Sequence, residues 1–88
     1  MPARMWNVQV SIVEEDPLTK AEARLLDGEK ELVGNGEARC NPDDENVPDI
    51  GDELACARAL SDLSHQLVHI AAAEIESHTH KPVQGLRV

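Results

Sequence analysis

The stretch ELVGNGEARC, residues 31–40, decides how this 88-residue chain can pack. Its alternate positions are Leu32, Gly34, Gly36 and Ala38, so one face of a β-strand here would carry little side-chain bulk. Two glycines weaken a strand, because they add an entropy cost and contribute no packing. We therefore predict that they are there to let the backbone of a helix approach the sheet closely.

Two more strands are predicted before this one, at residues 5–13 and 19–26, because apolar and polar residues alternate in both. The inward positions are Trp6, Val8, Val10 and Ile12 in the first strand and Ala21, Ala23 and Leu25 in the second. The polar residues 14–17 predict one turn. Asp27-Gly28 predicts a type I′ hairpin, because glycine adopts positive φ without strain. Three strands joined by short turns predict an antiparallel meander.

A Pro- and Asp-rich loop at residues 41–49 leads to a helix that should begin near Gly51 or Asp52. Acidic residues in the first turn complement the positive end of a helix. Apolar residues then recur at spacings of four and three and predict the face that packs on the sheet. This stripe consists of Cys56, Leu60, Leu63, Leu67 and Ile70.

The same stripe predicts a break in the helix. Glu74 would fall in the middle of the stripe if the helix continued, so we expect it to end near residues 71–73. A short second helix through about His78 would follow, and Pro82 would stop it. Residues 83–88 are compatible with a short strand or an arm. The sequence thus predicts one α+β domain over residues 1–88, a three-stranded antiparallel meander packed by C-terminal helices, in the order β-β-β-α-α.

Charge and aromatic content exclude several functions. The chain has 17 acidic and 8 basic residues, a net charge of −9, which argues against a generic polyanion binder. Trp6 is the single aromatic residue, which excludes an RNA-recognition sheet with stacking aromatics and an aromatic sugar-binding platform. A chain this short buries only about 60–65% of its unfolded surface, so the core is thin and a dimer is expected.

Nothing in the sequence indicates a membrane or an oxidising compartment. No apolar run approaches the length of a membrane span, and the first residues lack the apolar run of a secretory signal. We therefore expect a cytoplasmic protein in which Cys40 and Cys56 are reduced thiols. Their spacing does not suit a zinc site.

The histidines do not form a recognisable catalytic pattern. His65 and His69 are four residues apart, but the zinc-protease motif also needs a glutamate between them. They are expected on a solvated helix face together with an Arg58–Asp62 ion pair. We predict no catalytic residues, no cofactor and no metal site, and hence no enzyme activity.

The outer face of the meander has mixed charges. The cations available for a partner or RNA are Lys20, Arg24, Arg39 and Arg58. Glu22 and Glu37 interleave with them and weaken any positive field. Three uses of this face remain open at this point: bare surface, RNA binding, and pairing with another protomer.

Several segments together resemble a family of short proteins of unknown function, typical of high-GC Gram-positive bacteria, with a dsRBD-like fold. These segments are residues 21–25, 31–39, 41–42, 47–54, 57–63, 75–76 and 79–82. The resemblance covers nearly the whole chain, from about Trp6 to Pro82. It implies a three-stranded sheet backed by C-terminal helices, and a homodimer.

The resemblance also implies a function. Some members of this family are linked to dormancy or low-oxygen stress, and their dimer has been likened to ribosome hibernation-promoting factors. By this resemblance, Arg24, Arg39 and Arg58 are matched positions for contact with RNA. The hypothesis from the sequence is a stress- or dormancy-associated regulator linked to the ribosome or RNA. The alternative is an acidic protein-interaction module that binds no nucleic acid.

Overall fold

The computed structural model describes residues 3–85 as three strands followed by one helix. They are β1 (Asn7–Glu15), β2 (Leu18–Asp27), β3 (Lys30–Arg39) and α1 (Pro48–Thr79). The strands form one antiparallel sheet in the order β1-β2-β3, and a two-residue turn connects each pair. The structure confirms the predicted meander and the α+β class.

The second hairpin differs in detail from the predicted turn. Asp27 is part of β2 and pairs with Lys30, so the turn residues are Gly28 and Glu29. Gly28 has φ of +59°, whereas Glu29 does not have a positive φ. A type I′ turn would need positive φ at both residues, which is strained for glutamate. Positive φ at the first residue alone is the type II′ pattern.

The two glycines of β3 lie directly under α1, as predicted. A Cβ atom added to Gly34 would lie 2.6 Å from the backbone nitrogen of Leu63, and one on Gly36 would lie 2.8 Å from the carbonyl carbon of Arg58. Both distances are far inside van der Waals contact. The helix therefore rests on the sheet backbone to backbone.

This close approach selects the smallest residues of α1 for the interior. Ala55, Ala59 and Leu63 are the buried helix residues. They meet the buried sheet residues Ala21, Ala23, Leu25 and Ala38. The predicted stripe was wrong in part, because Leu60 and Ile70 remain 40% and 37% exposed. Ala55 and Ala59 lie over the strand together with Leu63, whereas Leu60 and Ile70 lie on the flanks of the contact.

The prediction of two helices was also wrong, because α1 is continuous over 32 residues. At 1.5 Å per residue it is about 48 Å long, whereas a ten-residue strand spans about 33 Å. The C-terminal turns therefore project beyond the sheet, where Glu74 is exposed to solvent and no break is needed. The radius of gyration is 16.6 Å, compared with about 12 Å for a compact chain of this length.

Both ends of α1 have local causes. The helix begins at Pro48 rather than at Gly51 or Asp52, because proline fits the first turn, where no backbone donor is needed. It ends at Thr79, and the next residue, His80, adopts φ of 58° and donates its N–H to the Glu76 carbonyl at 2.7 Å. Val83 then donates its N–H to Glu76 Oε1 at 3.0 Å. Residues 83–85 form no strand, and the rest of the predicted tail lies outside the described residues.

We expect Gly36→Ala to lower the free energy of unfolding by about 2–3 kcal/mol, because the new methyl group would force the helix away from the sheet. The control is Asn35→Ala, whose side chain lies on the opposite, exposed face of the same strand. Chemical denaturation followed by circular dichroism measures both. A change below about 0.5 kcal/mol in Gly36→Ala would contradict the backbone contact.

Candidate functional site

The outer edge of β3 is covered by three polar side chains of α1. Arg58 Nη1 donates to the Glu37 carbonyl at 2.7 Å, and Asp62 Oδ2 accepts from the Asn35 N–H at 2.8 Å. Gln66 Nε2 donates to the Val33 carbonyl at 2.7 Å. An edge strand normally offers these backbone groups to another strand. Here the protein's own helix uses them.

The predicted Arg58–Asp62 ion pair is therefore corrected. The ion pairs of residues 3–85 do not include one between these two side chains. Each binds the backbone of β3 instead, because the close approach of α1 brings it within reach. The role of Gln66 was not predicted from the sequence. Its signal is the spacing of Arg58, Asp62 and Gln66 at i, i+4 and i+8, which places all three on one side of the helix.

The outer edge of β1 is open. On β3, the backbone groups that bind α1 point away from β2 and belong to odd-numbered residues. Because backbone N–H and C=O groups alternate in direction along a strand, the pairing registers place the outward-pointing groups of β1 on even-numbered residues. The backbone N–H and C=O groups of Val8, Val10, Ile12 and Glu14 point away from β2. Within residues 3–85 no side chain hydrogen-bonds to them. The two edges of the sheet thus differ completely.

An apolar surface lies beside this open edge. The side chains of Val8, Val10 and Ile12 share the helix-facing side of the sheet with Leu25, Ala23 and Ala21, their direct partners. Val8 and Ile12 are nevertheless 45% and 41% exposed, because α1 lies over β2 and β3. Leu60 lies on the flank of α1 opposite Arg58 and so faces β1. We call Trp6, Val8, Val10, Ile12 and Leu60 the β1 surface.

The outer face of the sheet, away from α1, carries both signs of charge. Its cations are Lys20, Arg24 and Arg39, and its carboxylates are Glu15, Glu22, Glu31 and Glu37. Glu22 lies between Lys20 and Arg24 on β2, and Glu37 lies opposite Lys20 on β3. The four predicted contact residues do not form one stripe, because Arg58 lies at the β3 edge.

Arg24 forms ion pairs with two acidic neighbours. Its guanidinium lies 2.6 Å from Glu22 Oε1 and 2.9 Å from Glu31 Oε1. The hydrogen bond to Glu22, followed by the charges of Glu31 and Glu22, raises the pKa of Arg24 above its usual value. The residues of this group are half-exposed, so the pairs add little stability. They do cancel the positive charge that an RNA phosphate would need.

The carboxylates of Glu14 and Asp52 lie close together where the end of β1 is near the start of α1. Asp52 Oδ1 is buried and has no hydrogen-bond partner among the described residues. Glu14 can donate a hydrogen bond to Asp52 only when it is protonated. That bond, together with the charges of Asp52 and Asp49 and a small desolvation, raises the pKa of Glu14 above its usual range.

The remaining candidate residues are dispersed. His65 and His69 are exposed, as predicted, and His65 Nδ1 lies 2.7 Å from the Ser61 carbonyl. Cys40 and Cys56 are both free and half-buried. Within residues 3–85 no three His, Cys, Asp or Glu side chains are grouped so as to hold a metal ion. No helix in that range is long and apolar enough to cross a membrane.

These features define a small α+β protein with one closed and one open sheet edge. The sequence matches the Rv2632c-like family over residues 4–84. The chain therefore belongs to the Rv2632c-like family.

Its similarity to individual proteins is high. Uncharacterized protein Mb1767 of Mycobacterium bovis is 54% identical over 81 residues, which is 92% of this chain and 86% of that protein. Uncharacterized protein Rv2632c of Mycobacterium tuberculosis is 52% identical over 79 residues, 90% of this chain and 85% of that one. The crystal structure of Rv2632c superposes with a TM-score of 0.85 at 46% identity, covering 93% of this chain and 98% of that chain.

We expect Asp62→Ala to destabilise the fold by about 1 kcal/mol, because it leaves the Asn35 N–H without an acceptor. Amide hydrogen exchange by NMR gives the specific readout: the Asn35 amide should be protected in the natural chain and exposed in the variant. Asp62→Asn keeps an acceptor oxygen and should retain the protection. Rapid exchange of the Asn35 amide in the natural chain would contradict this account of the β3 edge.

We expect Glu14→Gln to stabilise the isolated, monomeric chain at pH 7, because the amide donates to Asp52 permanently and removes a repelling charge. A raised pKa in the folded state means that the natural chain gains stability from Glu14 only at low pH and loses it as the pH rises. The difference between variant and natural chain should therefore vanish on acidification. Thermal unfolding across pH measures it, with Glu15→Gln on the other face as control. Equal effects of both substitutions would contradict the Glu14–Asp52 interaction.

Proposed function

We propose that this chain is a non-enzymatic, cytoplasmic protein-interaction module that acts as a homodimer joined through β1. The observation that carries the proposal is the contrast between the two sheet edges. The β3 edge is bound by Arg58, Asp62 and Gln66. Among residues 3–85, the outward backbone groups of β1 have no hydrogen-bond partner and lie beside the exposed side chains of Val8 and Ile12. A long apolar edge of that kind is a template for another strand.

A second copy of β1 fits this edge through a two-fold axis at Gln9. In that antiparallel register Val8 faces the partner's Val10, and Trp6 faces the partner's Ile12. Arg4 then faces the partner's Glu14, whose pKa is raised by the neighbouring Asp52. On the outer face Met5 meets the partner's Val13. Apolar side chains thus meet apolar ones, and the charged pair is opposite in sign.

Neighbouring registers fit less well. Moving the axis to Val8 would place Arg4 opposite the partner's Ile12 and away from Glu14. Moving the axis to Val10 would place Trp6 opposite the partner's Glu14 and Met5 opposite the partner's Glu15. Moving it to Ser11 would place Val8 opposite the partner's Glu14. The last two registers set a carboxylate against an exposed apolar side chain and leave Arg4 without Glu14. The hydrophobic pattern therefore favours the axis at Gln9.

The charges favour a protein over a nucleic acid as the further partner of this dimer. Affinity for RNA depends on lysines and arginines that neutralise phosphates. The outer sheet face has four carboxylates against three cations, and Arg24 is already paired twice. The net charge of −9 repels a polyanion at long range.

A ribosome- or RNA-linked regulator in stress or dormancy is the second candidate. It is supported by the shared position of Lys20, Arg24 and Arg39 on the outer sheet face, and by the resemblance to hibernation-promoting factors. Cosedimentation with 30S or 70S particles from stationary-phase cells, lost in Lys20→Gln/Arg39→Gln, would favour it. Recovery in the ribosome-free fraction alone would favour the protein-interaction module.

The dimer itself is tested by a cross-link at its axis. In the proposed register Gln9 lies opposite itself as a non-hydrogen-bonded pair, with Cα atoms about 4.5 Å apart, within the range of a disulfide. We expect Gln9→Cys, in a chain carrying Cys40→Ser and Cys56→Ala, to form a covalent dimer under mild oxidation. Ser11→Cys is the matched control, because its Cα atoms would be about 14 Å apart.

Light scattering provides an independent readout. We expect twice the chain mass of 9.6 kDa at micromolar concentration. Val8→Lys should yield the monomer, whereas Leu26→Lys, at a similarly exposed site on the outer face of β2, should not. A natural chain that remains monomeric would refute the homodimer. A dimer in which Ser11→Cys cross-links and Gln9→Cys does not would refute this register.

A further inference from the structure

A groove lies at the end of the molecule where α1 begins. It has a volume of about 530 Å³ and lies between the β1–β2 turn, the end of β3, residues 41–46 and the first turns of α1. Pockets of this size are typical of sites that take several side chains or a small ligand. We call it the N-terminal groove. Neither the family nor the proposed dimer assigns it a role.

One wall of the N-terminal groove is aliphatic. Val47, Ile50 and Leu54 line it and are 39%, 55% and 45% exposed. Pro17 adds to the same wall. Large aliphatic side chains clustered in a concavity indicate a contact with hydrocarbon. This wall favours a ligand with an apolar part over a bare ion.

The rim of the N-terminal groove is acidic. Among its lining residues in the described chain, the carboxylates are Glu14, Asp16, Asp44 and Glu45, and the one cation is Arg39. The net charge of the lining is therefore −3, from four acids and one base. The positive end of α1 offsets this by only about half a charge. The groove is complementary to a cationic ligand.

We propose that the N-terminal groove binds a cationic segment of a partner protein, with lysine or arginine on the acidic rim and an aliphatic side chain on Val47, Ile50 and Leu54. The inference rests on the proposed function as a protein-interaction module and names the chemistry of its partner. Glu14 also lies at the seam of the proposed dimer. Asp44 and Glu45 lie outside β1, so they report on the groove alone.

The test uses a fluorescein-labelled peptide of alternating leucine and lysine, LKLKLK, and measures its affinity by fluorescence anisotropy. Removing two exposed charges with Asp44→Asn/Glu45→Gln should weaken binding about fivefold. Asp27→Asn/Glu29→Gln removes the same charge at the opposite hairpin and should change the affinity less than about twofold. Equal weakening by both double variants would mean attraction to net charge alone and would overturn the proposal.

The aliphatic wall has its own pair of variants. Leu54→Ser should weaken LKLKLK binding, whereas Ile75→Ser, at a similarly exposed site on the far end of α1, should not. The peptide SKSKSK carries the same charge without leucine and should bind more weakly than LKLKLK. Equal binding of the two peptides, or equal effects of the two serine variants, would overturn the proposal.

The experiments distinguish a failure of the groove proposal from a failure of the dimer proposal. Val8→Lys, which should yield the monomer, lies on β1 outside the groove lining and should bind LKLKLK with the natural affinity. Peptide binding in a chain that proves monomeric would leave the groove standing and refute the dimer. A confirmed dimer that binds LKLKLK independently of Asp44, Glu45 and Leu54 would refute the groove alone.

Discussion

The backbone contact between α1 and β3 is the constraint on which the rest of the structure depends. Gly34 and Gly36 leave no side chain under the helix, so Ala55 and Ala59 rest directly on the strand. Packing free energy here comes from many short contacts between small groups rather than from large buried side chains. The buried core is accordingly mostly alanine and leucine, and no large side chain in the described chain is fully buried.

The same constraint determines both edges of the sheet. Because α1 lies close to β3, its polar side chains Arg58, Asp62 and Gln66 reach the outer backbone of that strand. Because α1 contacts β1 only slightly, Val8 and Ile12 remain exposed, and only Val10 packs partly against the core. The closed β3 edge and the open β1 edge therefore both follow from the position of α1 over β2 and β3. A third consequence is that Leu60 and Ile70 stay outside the core, although Leu63 is buried in it.

The sequence predicts the strands well because their signals are local. Alternation identifies Ala21, Ala23 and Leu25 as inward residues, and the glycines of β3 indicate the close approach of a helix. The helix face could not be predicted from hydrophobicity, because Ala55 and Ala59 are less apolar than Leu60 and Ile70 yet are the ones buried. What selects them is space on β3, a property of a distant strand. The prediction of a helix break at residues 71–73 was wrong for a similar reason, because it assumed that the sheet extends under Glu74.

The positions of the acidic residues show where their charge is balanced by cations and where it is not. On the outer face Glu22 and Glu31 neutralise Arg24, so the charge there is balanced locally. At the start of α1 the carboxylates around Asp52 are not balanced, and Asp52 Oδ1 lacks a donor among the described residues. Unbalanced charge beside exposed aliphatic side chains costs stability in the isolated chain, and a cation from a partner would offset that cost. The excess of acid, which argues against a polyanion, is thus compatible with the proposed cationic partner at the start of α1.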